Sequence, residues 1–350
     1  MHYLNIYKPF ILHANCFLVN GFQRSLIIDT LLEKYYFIPN FLSQILIDFR
    51  GKTIFDIREK YNNEYDETLN EYFYFLIENE LIYFTDNPNS FPLIDLDYKI
   101  ASSITNVIID LVEGIDYSEF VKQIDELGCK AVVLNCTNHG DLSLALKTLT
   151  FFSKSGISHI EIYLNQDSSI DDLKLVFFEE NRLQRVILFN SNKNLYYPLE
   201  NGMGKEIIYT KKNKEQNQSC IITPDLFSIN LSTFTESQKY HTYFNRKLYV
   251  GQKGVIKNAP ECEEEFGFIQ NIKNTEDLKK IVFNPEFQKY WKINKEMIDI
   301  CKDCEFRHVC VESLLPYNHK NGSYYHKETC GYNPYIVLWK GQEGWISVEQ

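Results

Sequence analysis

Four cysteines near the C-terminus constrain this chain more than any other feature of its sequence. Three of them, Cys301, Cys304 and Cys310, form a Cys-x2-Cys-x5-Cys pattern in CKDCEFRHVC, and Cys330 follows twenty residues later in ETCGYNPY. Thiolates are soft metal ligands, and a tight Cys-x2-Cys loop can present two of them to a metal while its amides donate hydrogen bonds to the sulfurs. The spacing therefore predicts one metal site with four protein ligands, which either Zn²⁺ or an iron–sulfur cluster would satisfy.

The remaining composition fits a protein of a reducing compartment. Nine cysteines are odd in number and unevenly spread, which is typical of a metal site rather than of a disulfide framework. The formal charge of −11 argues against a nucleic-acid partner, because phosphate binding depends on Lys and Arg. The longest apolar runs are too short for a membrane span, and the N-terminus lacks the features of a secretory signal. We therefore expect a cytoplasmic protein without a membrane partner.

The first 90 residues predict a small winged-helix domain. Three short strand patterns are separated by turn signals, and three helical patterns and a closing strand follow them. Asn40, Thr53 and Asp66 are the candidate N-caps of the three helices.

The rest of the chain divides into two further predicted units. Residues 98–235 alternate short apolar strands with amphipathic helices, which indicates βαβ units on a parallel sheet, either a partial barrel or an open sheet. The polar segment 192–220 is predicted to be a loop. Residues 236–350 begin with a predicted hairpin around Gly251 and Gly254 and end with the cysteine cluster.

The C-terminal third resembles a SPASM domain, the cluster-binding module of radical-SAM peptide maturases. The resemblance lies in NRKLYVGQKGVIKN, ECEEEFGFIQN, CKDCEFRHVC and CGYNPY, with a second match near the start in FLVNGFQRS and KYYFIPN. The whole chain is similar to the SPASM-domain peptide maturase of the grasp-with-spasm (graspetide-type) system. The resemblance implies a [4Fe–4S] cluster on Cys301, Cys304, Cys310 and Cys330, a ribosomal precursor peptide as partner, and cooperation with an ATP-grasp ligase.

The chain also departs from that family in its cluster ligands. A full SPASM module binds two clusters, and only the ligands of the second are present. Ala259 and Leu314 stand where ligands of the first are expected, His241 is the one conceivable upstream ligand, and Cys262 is out of register. We therefore expect one cluster, with structural zinc as the alternative.

The ligands of a radical-SAM cluster are missing as well. That chemistry needs Cys-x3-Cys-x2-Cys after the first barrel strand, but here ITNVIIDLV is followed by EGIDYSEF. Cys129 and Cys136 stand at either end of the next predicted strand and cannot replace that loop. The resemblance thus implies a degenerate βα barrel of radical-SAM type, and S-adenosylmethionine is not expected as a cofactor.

The N-terminal unit is a candidate peptide-recognition domain. Its third helix is acidic, which argues against DNA binding, and the unit resembles the PqqD-like recognition element of ribosomal-peptide modification enzymes. That resemblance implies that a leader peptide adds as a strand beside KYYFIP, in a groove formed by Tyr35, Phe37, Ile38, Leu69 and Phe73. The alternative is a structural cap on the βα region.

Taken together, the sequence predicts an α/β protein with a winged-helix domain, a degenerate partial βα barrel and a SPASM-like tail. The favoured function is a maturation factor for a ribosomally synthesised, post-translationally modified peptide. The alternatives are an active iron–sulfur redox or radical enzyme that modifies the peptide itself, and a zinc-stabilised regulator without catalytic activity.

Overall fold

The computed structural model describes residues 4–137, 141–165, 168–199, 204–213, 224, 227–319 and 322–348. Most of the basic stretch KKNKEQNQS lies outside these ranges. Within the described residues, no helix combines the length and the apolar character of a membrane span.

The N-terminal unit contains four strands, three helices and a closing strand, because the first of the three predicted strand patterns forms two strands. Its elements are β1 (Phe10–Leu12), β2 (Cys16–Asn20), β3 (Ser25–Asp29), β4 (Lys34–Ile38), α1 (Asn40–Asp48), α2 (Ile54–Lys60), α3 (Asp66–Glu78) and β5 (Ile82–Phe84). Strands β2, β3 and β4 form one sheet with β4 at its edge, and β1 pairs with β5.

Of the three predicted N-caps, one is present. The side chain of Thr53 caps α2 within a capping box, whereas Asn40 and Asp66 are the first residues of their helices. The side-chain amide of Asn40 instead donates a hydrogen bond to the carbonyl oxygen of Gly21 (3.3 Å), and the Asp66 carboxylate pairs with Arg58 (3.5 Å). Tertiary contacts thus take both side chains away from the helix ends.

The middle and C-terminal parts supply a large sheet with helices between its strands. Their elements are β6 (Asn106–Asp110), α4 (Ser118–Glu126), β7 (Ala131–Asn135), α5 (Leu142–Leu149), β8 (His159–Leu164), α6 (Ile170–Glu179), β9 (Leu183–Leu188), β10 (Leu195–Pro198), β11 (Glu206–Tyr209), α7 (Leu231–Ser237), β12 (Lys247–Val250), β13 (Ile256–Lys257), α8 (Thr275–Val282), β14 (Pro316–Asn318), β15 (Tyr324–His326), β16 (Tyr332–Asn333) and β17 (Leu338–Trp339).

The large sheet has eight strands in the order β10-β11-β9-β8-β7-β6-β12-β13. Its six central strands are parallel, and the outer strands β10 and β13 are antiparallel to their neighbours. The chain is therefore a mixed α/β protein with a mostly parallel sheet. The prediction of a loop over 192–220 is wrong in part, because β10 and β11 lie there. The predicted hairpin is present as β12 and β13, and β12 also joins the sheet beside β6.

Three apolar cores hold these elements together. The largest lies between the eight-stranded sheet and its helices, and the second lies between the N-terminal strands and α1 to α3. The third is shared: Val19, Leu26 and Ile28 on the outer face of the β2–β4 sheet pack with Phe306 and Val309 near the C-terminus. One face of the N-terminal sheet is thus buried against the segment that carries the Cys-x2-Cys-x5-Cys pattern.

Candidate metal centre

All four cysteines of the predicted metal site line one cavity. Cys301, Cys304 and Cys310 come from one loop, which we call the cysteine loop (residues 301–310), and Cys330 comes from the segment just before β16. The cavity also has apolar aromatic walls and contains about 520 Å³ of empty space including its open mouth. The four cysteines, which span thirty residues of sequence, therefore lie around a single cavity.

Backbone amides are aimed at the sulfurs. The N–H of Phe306 donates to Sγ of Cys304 at 3.4 Å, and the N–H of Tyr332 donates to Sγ of Cys330 at 3.4 Å. The N–H of Glu312 makes the same kind of contact with Cys310. In each case the donor lies two residues after the cysteine. Such N–H to sulfur bonds stabilise thiolate ligands and are among the interactions that tune iron–sulfur clusters.

The thiols are protonated without a metal. Burial raises the pKa of Cys310 to about 12 and that of Cys330 to about 11, and it also raises the pKa of Cys301 and of Cys304 well above the ordinary range. Because a metal binds the thiolate, loading this site must release protons. A soft metal centre is the group that four thiols around one cavity fit best.

The four thiols line one cavity, but across the described part of the chain no group of three or more His, Cys, Asp or Glu side chains is arranged so that it could hold a metal ion. A tetrahedral zinc would require all four sulfurs at about 2.3 Å from one centre. A four-iron cluster instead takes each cysteine on a different iron, so its ligands stand further apart.

A buried ion pair lines the same cavity. The Lys295 ammonium lies 3.2 Å from the Glu312 carboxylate, with side chains 5% and 2% exposed. Although burial by itself would raise it, Lys295 and two histidines lower the pKa of Glu312 to about 2. Lys295 also acts electrostatically on Cys301 and Cys310. The pair therefore places one positive and one negative charge beside the thiols, and Glu312 acts on Cys301 and Cys310 in the opposite direction to Lys295.

His241 belongs to this ion-pair network. Burial, with the nearby Lys295 charge, lowers the pKa of His241 to about 3, so the ring is neutral. Its Nδ1 accepts a hydrogen bond from the N–H of Tyr243 (3.2 Å), and its Nε2 faces the Glu312 carboxylate at 3.5 Å. His241 therefore supports Glu312 rather than standing ready as a ligand.

The residues near the expected first cluster do not fit a cluster. Ala259 and Cys262 are buried with Phe244 in a small apolar group that includes Tyr290 at its edge. Leu314 is buried beside Cys310 in another apolar group. Packed apolar side chains thus fill this region.

The two cysteines of the βα region are core residues. Cys129 and Cys136 flank β7 and are 0% and 1% exposed. Burial raises the pKa of each thiol to about 12. The segment between β6 and α4, where a radical-SAM loop would begin, contains no cysteine in its sequence.

The predicted peptide groove divides between two faces of β4. Tyr35 and Phe37 point toward the cysteine loop, and Phe37 is 44% exposed. Ile38, Leu69 and Phe73 are buried in the N-terminal core, at 2%, 0% and 0% exposure. These three side chains lie in the core beneath the proposed groove and are not available to contact a peptide.

Sequence reasoning missed the side chains that border the open edge of β4 on its helical side. Tyr36 and Phe75 meet there with ring centroids 6.2 Å apart, and both are half-buried. The strand period of two gives part of the signal, since Tyr36 shares a face with Ile38. Lys295 and Glu312 were also missed, because charged residues near a motif carry no sign of burial in the sequence.

Comparison with known proteins does not identify a family for this chain. No protein-family model and no curated protein matches the chain. The solved structures that match include the crystal structure of Streptococcus suis SuiB and that of SuiB bound to S-adenosylmethionine. They share 10% and 9% sequence identity with this chain, cover 86% of it and 94% of their own length, and superpose with a TM-score of 0.29.

Proposed function

We propose that this chain is a maturation factor for a ribosomally synthesised, post-translationally modified peptide. In this proposal Cys301, Cys304, Cys310 and Cys330 hold one [4Fe–4S] cluster, which stabilises the C-terminal region or transfers electrons. The chain binds the leader of the precursor peptide and works beside an ATP-grasp ligase of the grasp-with-spasm type.

One observation carries the proposal: four thiols line a single cavity, and amides two residues further on point at three of them. A [4Fe–4S] cluster would accept those sulfurs as ligands and would supply a one-electron redox centre when bound. This chain's own residues would hold it and shield it with aromatic walls, with the Lys295–Glu312 pair beside the sulfurs. Because three of the cysteines are partly exposed, an electron could also reach it from the surface.

The peptide partner is supported by the edge of β4. Within the described residues β4 pairs with β3 alone, so one row of its backbone groups is open for an added strand. The side chains beside that edge are Tyr36 and Phe75 on one face and Tyr35 and Phe37 on the other. Such aromatic flanks provide pockets for alternate side chains of an extended peptide.

Charge gives a direct test of this edge. Glu71 is exposed one turn before Phe75 on α3, so it lies on the helix face that borders β4. We expect Glu71→Lys to weaken binding of the precursor leader by about threefold to tenfold, because an exposed charge contact is worth ~1 kcal/mol. Added salt should weaken binding to the unchanged chain and have less effect on the variant.

The matched control is Glu59→Lys on α2, which changes the same charge at another exposed position of the unit. Calorimetry should use the full chain, since the outer face of the β2–β4 sheet is buried against the C-terminal part and a fragment of 90 residues would expose it. Equal binding of a scrambled leader, or equal losses in both variants, would contradict the proposed peptide edge.

An enzyme is the second candidate. Partial exposure of three cysteines also suits a cluster that exchanges electrons with a bound peptide. In this second function the chain is an active iron–sulfur redox enzyme. A change in the mass of the precursor peptide, produced by the cluster-loaded protein, would distinguish it from the first function.

A further inference from the structure

We propose that the open edge of β4 and the cysteine loop form one coupled unit, so that metal loading of the loop orders β2 to β4 and strengthens peptide binding at that edge. The peptide part of this inference rests on the proposed function. The contacts that connect the two regions stand independently of it.

The turn between β2 and β3 is bonded to the backbone of the cysteine loop. The N–H of Phe22 donates a hydrogen bond to the carbonyl oxygen of Asp303 at 2.8 Å. In the opposite direction, the Arg307 guanidinium donates to the carbonyl oxygen of Asn20 at 2.6 Å. The two segments are thus joined from both sides.

A buried ion pair extends this connection to the sulfurs. Arg24 lies 2.8 Å from the Glu305 carboxylate, which is 1% exposed and follows Cys304 directly. The hydroxyl of Tyr332 donates to the same carboxylate at 2.5 Å, and the N–H of Tyr332 donates to Sγ of Cys330. Arg24 is therefore connected, through two residues, to one of the four candidate ligands.

The open strand itself rests on the loop. The Phe306 ring, which stands between the second and third cysteines, lies 5.6 Å from the ring of Tyr35 and 6.0 Å from that of Phe37. The Arg24 guanidinium lies 3.5 Å from the centre of the Phe37 ring. A movement of Phe306 or Arg24 must therefore change the side-chain packing of β4.

Metal ligation would control the order of this loop. The loop contains one 3₁₀ turn, Cys301–Asp303, and single turn hydrogen bonds such as that from the N–H of Cys310 to the carbonyl oxygen of Phe306 (3.0 Å), without an α-helix or a strand. In small metal-bound units the binding free energy is also folding free energy. A loop ordered by a cluster would hold Glu305 and Phe306 in place, and those residues would hold β2 to β4. By thermodynamic linkage, a peptide that binds the ordered edge must favour the loaded loop by the same factor.

Hydrogen exchange of the full chain tests the coupling with the metal alone. The chain is prepared metal-free by chelation and then reconstituted with iron and sulfide. We expect the amides of residues 16–38 to exchange at least about tenfold more slowly after loading, equivalent to ~1.4 kcal/mol. Amides of β7 and β8 serve as the internal control and should not change. Equal exchange of residues 16–38 in both forms would overturn the proposal.

A matched pair of variants provides the reverse test. Arg24→Gln removes the positive charge that pairs with Glu305, whereas Lys8→Gln breaks another ion pair of the same unit, the more exposed Lys8–Asp86 pair at 3.1 Å, away from the loop. We expect the Arg24 variant to lose iron to a chelator several times faster than the unchanged chain, and the Lys8 variant to lose it at the normal rate. Equal rates for all three chains would overturn the coupling.

Calorimetry with the precursor peptide encoded beside this chain separates the two proposals. Weaker binding to the metal-free chain supports the coupling. Equal affinity for the loaded and metal-free chains overturns it and leaves the proposed function intact. Absence of binding to either form overturns the peptide function, while hydrogen exchange and iron release still decide whether loop and strand are coupled.

Discussion

Replacing Lys295 by Met should destabilise the protein strongly. The ammonium lies 3.2 Å from Glu312, and its other hydrogen-bond partner is the hydroxyl of Thr242 at 3.2 Å. Met keeps much of the volume of the side chain and removes the charge. The Glu312 carboxylate then loses its lysine partner and keeps a hydrogen bond from the N–H of Leu314 (2.5 Å) and the rings of His241 and His326 at 3.5 and 3.9 Å.

The size of the effect follows from the distance and the burial. At an effective dielectric constant of about 20, two unit charges 3.2 Å apart attract by roughly 5 kcal/mol. Breaking a buried pair by removing one partner costs about 3–5 kcal/mol, because the remaining charge is desolvated without compensation. We expect the free energy of unfolding to fall by an amount in this range.

Urea unfolding of the metal-free chain measures this loss without interference from the cluster. The matched control is Lys99→Met, which breaks a shorter but exposed pair, Lys99–Asp95 at 2.7 Å with side chains about 70% exposed. That change should have little effect on the free energy of unfolding, because water screens an exposed ion pair. If the two variants lose the same free energy, the Lys295–Glu312 pair is not the buried anchor described above.

Two further predictions concern chemistry and pH. Reduced protein mixed with S-adenosylmethionine should release no 5′-deoxyadenosine above background, because the segment after β6 has no cysteine to hold a cluster with an open iron; multiple-turnover release would favour the radical enzyme. Burial raises the pKa of Glu236 from 4.5 to about 7, so the folded state resists its ionisation as the pH rises through this range. Glu236→Gln should therefore match the unchanged chain near pH 4.5 and be more stable above pH 7 by up to about 3 kcal/mol; equal stability at both pH values in urea unfolding would refute this.

Local patterns in the sequence predicted most of the secondary structure. The alternation of apolar strands and amphipathic helices from β6 to β9 is strong, and the structure follows it. Strands β10 and β11 were missed because they are four residues long, and Tyr196 of β10 is 61% exposed. Such a strand at the edge of a sheet shows little of the apolar periodicity on which sequence reading depends.

Long-range contacts determine the features of the fold that local patterns did not predict. The pairing of β12 with β6 joins residues about 140 positions apart, and local periodicity carries no information about such a register. Local periodicity likewise carries no information about the contact between Arg24 and Glu305, which lie near opposite ends of the chain. At the candidate site, spacing identified the four cysteines, whereas the amides that point at them depend on the folded loop.

Helical periodicity also explains why part of the proposed peptide groove is buried. Leu69 and Phe73 recur at the spacing of a buried helix face, and they are fully buried. The aromatic residue beside the strand, Phe75, lies on a different face of α3. A recognition surface therefore has to be sought among the half-buried positions that flank the core stripe rather than within the stripe.

The most direct test of the account is the metal content of the anaerobically purified full chain. One complete set of four cysteine ligands predicts about four iron atoms and four sulfides per chain. Cys304→Ala should abolish the metal and destabilise the C-terminal region, whereas Cys262→Ala, in the apolar group beside Phe244, should leave the metal content unchanged. Near eight irons per chain, or one zinc with no sulfide, would contradict the central claim of a single [4Fe–4S] cluster.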